Sequence, residues 1–280
     1  MSVVSGALDG LRRNLHLTAR SAAYELRKQL AYRTGFIVRE LLRGLARPAV
    51  MILVYAAIFE RDGLQEIEGW RFDDLVGYMI LTAIIGKLVF HERLLDLSEQ
   101  IFEGRITKYM VMPMRFFFLP FGRFVQHSAV QVAFAGSLWI AGALVLPRWW
   151  PVPASATALF EVLTLVGLGS YCYFLLYYIL NSLAFWLDVI WSLLVMSRFV
   201  TLFVSGALIP ISIMPEGFGR VFFWLFPYWT ICAPIEICMG RDGPQFLHGV
   251  GVLLGSIVAL ECLRARIWRR GARQYTGSGM

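Results

Sequence analysis

TALFEVLTLVGLGSYCYFLLYYIL, residues 157–180, holds one charged side chain, Glu161, in 24 positions. As a helix rising 1.5 Å per residue it would reach about 36 Å, longer than a bilayer hydrocarbon core of ~30 Å. A run this long and this apolar reads as a membrane span. Outward from it, the basic residues are sorted by segment. Of 26 Lys and Arg, nine lie before residue 48, six between 87 and 123, and five between 264 and 273. Long apolar segments poor in Lys and Arg separate these blocks. Cytoplasmic loops of membrane proteins retain Lys and Arg, whereas translocated loops do not. The chain is therefore expected to be an all-α polytopic inner-membrane protein with both termini in the cytoplasm.

Composition agrees. Hydrophobic residues make up 58% of the 280 residues, charged residues 16%, and mean hydropathy is +0.63. Soluble domains carry about 25% charged residues. Spans of roughly 20 residues each use up nearly the whole length, which leaves no soluble domain of any size. The net charge of +7 is better explained by cytoplasmic flanks near anionic lipid than by nucleic acid. The four cysteines, Cys172, Cys232, Cys238 and Cys262, form no CxxC or Cys/His metal pattern. Cys172 and Cys262 sit in apolar runs and are expected to be buried. Cys232 and Cys238 fall on different helix faces, which disfavours a disulfide between them.

Residues 8–33 place apolar side chains at helical spacing opposite Arg and Lys, so segment 1–35 reads as a cytoplasmic amphipathic helix in the interface. The transmembrane domain is expected over 36–267, with spans at about 36–59, 75–92, 116–146, 157–180, 189–210 and 244–263. Residues 268–280 form a cytoplasmic tail. Arg39, Arg43 and Arg47 share one face of the first span, where snorkelling to lipid phosphates is the simplest reading. Residues 60–74 carry six acidic side chains and read as an outer loop. Trp149 and Trp150 fit an interfacial aromatic belt. Residues 211–243 are apolar yet interrupted by Pro215, Gly217, Gly219, Pro227 and Pro234. Proline interrupts the helical ladder, so no single span fits, and two short helices re-entering the outer leaflet are expected.

No catalytic constellation is present in the sequence. His91-Glu92 begins like HExxH, but Leu95 stands where the second His is required. No GxxxxGK[ST] occurs, so ATP cannot be held by a P-loop of this chain. Gly251 and Gly255 make a GxxxG in the sixth span, a pattern compatible with close helix packing. No metal ligands and no cofactor bound by the chain are expected.

The cytoplasmic stretch LLDLSEQIFEGRITKYMVMPMR (94–115) starts with helical spacing, Leu94, Leu97 and Ile101 on one side and Asp96, Glu99, Gln100 and Glu103 elsewhere. Gly104 is placed to end that helix. Docking on another protein and plain solvation both fit this pattern.

IFEGRITKYMVMPM (101–114), SGALIPISIMP (205–215), LFPYW (225–229) and APIEICMG (233–240), in that order around six spans, resemble the permease subunits of ABC-2-type transporters. The ending WRRGARQYTGSG (268–279) resembles a bacterial branch that combines two related permeases with one ATPase. The resemblance implies a permease of an ATP-driven exporter in a bacterial inner membrane. ATP and magnesium would be bound by a separate ABC ATPase subunit present in two copies, and a second permease would complete the pathway. It implies that Gln100, Ile101, Phe102, Glu103, Gly104 and Arg105 couple to that ATPase. It also implies an outer gate around Pro215, Gly217, Pro227 and Pro234.

Arg198 is expected about 15 Å along the fifth span from Asp188. A cation at that depth takes a partner: Glu161, a substrate anion, or a water-lined subunit interface. Arg198, Phe199, Phe203 and Tyr55 are the candidates for the translocation pathway. The competing classes are a secondary carrier, an integral-membrane enzyme, or a non-transporting anchor for an ATPase. A carrier often repeats its broken helices in both halves, and here only 211–243 is broken. The apolar and aromatic composition suits a hydrophobic or amphipathic substrate.

Overall fold

A computed structural model describes residues 33–63, 65–90, 97–110, 116–145, 150, 153, 155–241 and 245–275. The expected amphipathic helix of segment 1–35 lies almost entirely outside the described residues. So do His91, Glu92, Pro113, Trp149 and the end of the tail, and the side chains of Arg39 and Arg43.

The described residues are helical apart from turns and one isolated β-bridge between Ile67 and Trp70. The helices are α1 (Arg33–Asp62), α2 (Phe72–Val89), α3 (Leu97–Phe102), α4 (Thr107–Met110), α5 (Phe118–Val145) and α6 (Ala156–Ser182). They continue with α7 (Trp191–Val204), α8 (Glu216–Phe222), α9 (Phe226–Thr230), α10 (Cys232–Cys238) and α11 (Phe246–Gln274). Short 3-10 turns at Leu183–Phe185 and Ile211–Ile213 flank α7.

The apolar run 157–180 becomes α6, and α6 is the centre of the fold. It is apolar all round, the mark of a helix that other helices surround. It packs along α11 and also touches α2, α3, α7, α9 and α10. Ser155 starts it, its hydroxyl accepting from the Ala158 amide at 3.1 Å. Two of the polar groups it buries have clear partners: Ser170 donates to the Leu88 carbonyl of α2 at 3.1 Å, and Ser182 donates back to Tyr178 at 2.8 Å.

Among the described residues three helices, Phe118–Val145, Ala156–Phe185 and Phe246–Gln274, are long and apolar enough to cross a membrane. The other expected spans are present as helices that miss that standard for identifiable reasons. α1 carries a basic first half, α2 holds Asp73, Asp74 and Lys87, and α7 has only 14 residues. The expected helix over 189–210 thus ends early. Gly206 takes φ 75°, Ala207 N–H donates to the Leu202 carbonyl and Gly206 N–H to Phe203, which closes a Schellman cap. Tyr78 holds the cap by donating to the Gly206 carbonyl at 2.8 Å.

Within 211–243, the described residues 211–241 form three short helices, α8, α9 and α10, where the sequence predicts two. The prolines start these helices rather than break one. Pro215 precedes α8, Pro227 lies in the first turn of α9 and Pro234 in the first turn of α10, where a missing N–H costs nothing. Cys172, Cys232 and Cys238 are buried, but Cys262 is exposed, contrary to expectation, because it lies on the outward face of α11. All four thiols are unbridged. Gly251 and Gly255 have open space beside them. The close contact on α11 is instead at Gly249, where an added Cβ would overlap the indole of Trp229. Gly249→Val is therefore expected to destabilise the chain by about 1–3 kcal/mol, while Gly251→Val changes little. Thermal unfolding in detergent distinguishes the two variants.

Candidate functional site

Three places in the molecule combine unusual sequence with unusual structure: the 97–110 turn, the 211–241 segment, and a cavity between helices.

α3 and α4 form a hairpin-like tip. Leu97, Ile101 and Ile106 are buried, the last with no exposed surface, against Phe116, Phe124, Phe174, Leu175, Ala184 and Ile190. Between the two helices Gly104 adopts φ 70°, its N–H donating to Ile101, while Ile106 N–H reaches the Gln100 carbonyl at 3.1 Å. The opposite side of the tip is charged. Arg105 pairs with Glu103 and lies 3.7 Å from Glu99, all three side chains about half exposed or more. Exposed pairs of this kind contribute little stability, so the tip is held by its apolar base. That base rests on α6, on the Leu183–Phe185 turn and on the end of α11, where Tyr275 donates to the Ile101 carbonyl at 3.1 Å. Of the six candidates here, Ile101 thus faces the bundle, while Glu103 and Arg105 face outward. The Gln100 side-chain oxygen is buried without a hydrogen-bond partner among the described residues.

α9 and α10 pack on α6, α9 also against α11 and α10 also against α2, while α8 lies against the Ile211–Ile213 turn. Pro227 and Pro234 are buried, Pro215 and Gly217 exposed, and a Cβ at Gly217 would meet nothing within 4 Å. Their order is fixed by a clasp that the sequence does not disclose. Glu68 and Gly69 both take positive φ and turn the acidic loop back so that Trp70 is wholly buried. The Trp70 indole donates to Ser212 Oγ at 2.9 Å, and Arg241 lies 3.4 Å from its ring centroid. Arg241 also donates to the Gly69 carbonyl at 3.1 Å and faces Asp74 at 3.5 Å. One Trp–Arg stack thus ties the 60–74 loop to both ends of the α8–α10 segment.

A cavity of about 540 Å³ lies between α1, α2, α5 and α7. Its described lining includes Arg47, Lys87 and Arg198, with His127 and Gln131. Arg47 thus lines a partly open cavity. Arg198 is the one pathway candidate found there. Tyr55 is buried elsewhere, and Phe199 is 64% exposed with Phe203 partly so. Among the described residues no group of three or more His, Cys, Asp or Glu could hold a metal ion.

The described helices include three long apolar ones, a turn at 97–110 docked on α6 and a folded 211–241 segment. The family model described as ABC-2 family transporter protein matches residues 45–279. The chain belongs to the ABC-2 transporter family. No curated protein matches the sequence. The ABC-2 match spans all three places described above, from the middle of α1 to the tail. As an ABC-2 member the chain is a multi-pass membrane permease component of an ABC transporter, a role that entails association with an ABC ATPase.

Proposed function

We propose that this chain is the permease subunit of an ATP-driven exporter of the bacterial inner membrane, with six spans and both termini cytoplasmic. The spans are α1, α2, α5, α6, α7 and α11. Energy comes from a separate ABC ATPase present in two copies, which binds ATP and magnesium. A second permease, identical or related, completes the pathway against α1 and α7. Exposed apolar side chains on those helices, Val50 and Leu53 on α1 and Met196 and Phe199 on α7, support this.

The observation that carries the reading is the two-sided tip. Its charged side, Glu99, Glu103 and Arg105, is available to a partner, while its buried base joins it to α6 and α11. Closure of the ATPase around the tip would then move packed helices rather than a loose loop. An ATP-driven change shifts the permease between two states only by its differential interaction with them. α8–α10, with Pro215, Gly217, Pro227 and Pro234, serve as the outer gate, and Arg198 lies on the pathway.

The test is to purify the tagged chain from its native host in mild detergent and identify what accompanies it. An ATPase in stoichiometric amount is expected, together with a second permease if the assembly is mixed. Reversing the tip with Glu103→Lys and Arg105→Glu should release the ATPase and leave the chain monodisperse. A monodisperse chain that never carries an ATPase contradicts the reading and favours a carrier or membrane enzyme. A second prediction concerns transport itself. Arg198→Leu should abolish efflux while the complex still assembles, and normal efflux removes Arg198 from the pathway.

A further inference from the structure

We infer that the arginine face on the last turns of α11 is a binding surface for anionic lipid headgroups, and that lipid held there steadies the 97–110 tip. Such binding requires only a chain embedded in a bilayer, whatever docks on the tip.

One side of α11 is open along its whole length. Leu247, Leu254 and Val258 are exposed on it, and further along so are Arg266, Arg269, Arg270 and Arg273. At 3.6 residues per turn, Leu254, Val258, Arg266, Arg269 and Arg273 fall within about 120° of arc, with Arg270 at its edge. An exposed apolar face on a spanning helix meets lipid tails, and arginines that continue it meet headgroups. Depth agrees. Arg266 lies about 30 Å along the helix from Phe246, the thickness of a hydrocarbon core. Arg269 and Arg270 fall in the ~5–7 Å headgroup layer beyond it, and the stem of Arg273 reaches back to that layer. Among the described residues none of the four pairs with a carboxylate. Arg269 donates once, from Nε to the Ala265 carbonyl at 3.1 Å. The one acid of α11, Glu261, lies on the other side, held by Arg264 at 2.6 Å and by the Tyr171 hydroxyl. Guanidiniums bind phosphate oxygens in bidentate form. An acidic protein would use the arginines and leave the adjoining apolar face bare. A phospholipid, with an anionic head above its tails, covers both.

The opposite side of the same turns carries the tip. Trp268 stacks on Phe116 with ring centroids 4.9 Å apart, and Tyr275 donates to the Ile101 carbonyl. Gly271 admits the Phe185 ring, which an added Cβ would overlap, and Gln274 accepts from the Trp186 indole at 2.6 Å. Helix ends fray unless they are held. Headgroups bound on the arginine face hold this end from outside, so that Trp268 and Tyr275 stay in register with the base of the tip.

Cys262 supplies the reporter, since it is exposed on this face one turn before Arg266 while Cys172, Cys232 and Cys238 are buried. The full-length chain is labelled there with bimane and reconstituted into phosphatidylcholine nanodiscs. Each disc holds a small fixed fraction of nitroxide-labelled quencher lipid, either phosphatidylglycerol or phosphatidylcholine. The phosphatidylglycerol quencher should be favoured at Cys262 by at least about fivefold, the gain of one basic side chain at an anionic surface. Molar salt should weaken that preference. Replacing the four arginines together, R266Q, R269Q, R270Q and R273Q, should abolish it, and glutamine keeps the helix. Four lysines in their place should retain most of it, and Arg71→Gln in the 60–74 loop should change nothing. Amide hydrogen exchange of 97–110 should slow when unlabelled phosphatidylglycerol is added to the parent, and not in the four-glutamine variant. Equal quenching by the two lipids, or a preference that survives the four glutamines in monodisperse protein, overturns the lipid surface. Equal quenching together with loss of a co-purified ATPase from the four-glutamine chain in lipid-free detergent assigns the face to a protein partner instead. A lipid preference with unchanged exchange at 97–110 overturns the link to the tip.

Discussion

Trp70→Ala is expected to lower the stability of the chain by about 3–5 kcal/mol, the range for truncating a buried tryptophan. The side chain has no exposed surface, and its loss empties a space bounded by Tyr78, whose ring meets it edge-on at 5.4 Å. The truncation also strands two partners. Ser212 loses the indole N–H, and Arg241 loses the ring on which it stacks. Arg241 keeps some solvent contact, so its cation–π interaction adds about 0.5–1 kcal/mol to what the packing supplies. Arg241→Ala should therefore cost less than Trp70→Ala, since the indole stays packed. Arg241→Lys should cost less again, because an ammonium keeps the charge but not the planar stack. Unfolding followed by intrinsic fluorescence in detergent ranks the three variants. If Trp70→Ala unfolds with the parent, the 211–241 segment is not held by this clasp.

The second large effect is expected at Ile106. Ile106→Asp buries a carboxylate among the apolar side chains of Leu97, Ile101 and Phe116. Unpaired buried charge is among the few causes of losses above about 4 kcal/mol. The tip should detach from α6 and α11, so ATPase co-purification should fail. The main core around α2, α6, α9, α10 and α11 is a separate cluster and should survive. Ile106→Val should cost only about 0.5–1.5 kcal/mol and keep the ATPase. Glu103→Ala gives the complementary result. Its side chain is about half exposed, so the fold should be unaffected while docking weakens. ATPase retained by Ile106→Asp would show that the partner docks elsewhere.

These two effects differ in how far the sequence announces them. The tip is legible because its signals are local. Leu97 and Ile101 have helical spacing, and Gly104 supplies the positive φ that ends the helix. α6 is legible because an unbroken apolar run has few other solutions. The clasp is not, because Trp70 and Arg241 lie far apart in sequence and neither has a pattern of its own. That Arg47 shares a cavity with Arg198 is hidden for the same reason. Its spacing with Arg39 and Arg43 suggests a lipid-facing stripe, and nothing local to residue 47 points to Arg198 on α7. The early end of α7 is signalled by Ser205-Gly206, but an apolar run continuing to Pro210 conceals it. Proline in 211–243 reads as a breaker, although its position in each first turn makes it a starter of α9 and α10.

The central claim is that an ATPase docks on the charged side of the α3–α4 tip. Site-specific photo-crosslinking tests it most directly. Glu103 is replaced by a benzophenone amino acid in cells expressing the whole assembly, with the same replacement at exposed Leu247 of α11 as control. After irradiation, an adduct between the chain and an ATP-binding subunit is expected from position 103 and not from 247. No adduct from position 103, in cells where the ATPase is present and the chain is intact, would contradict the account.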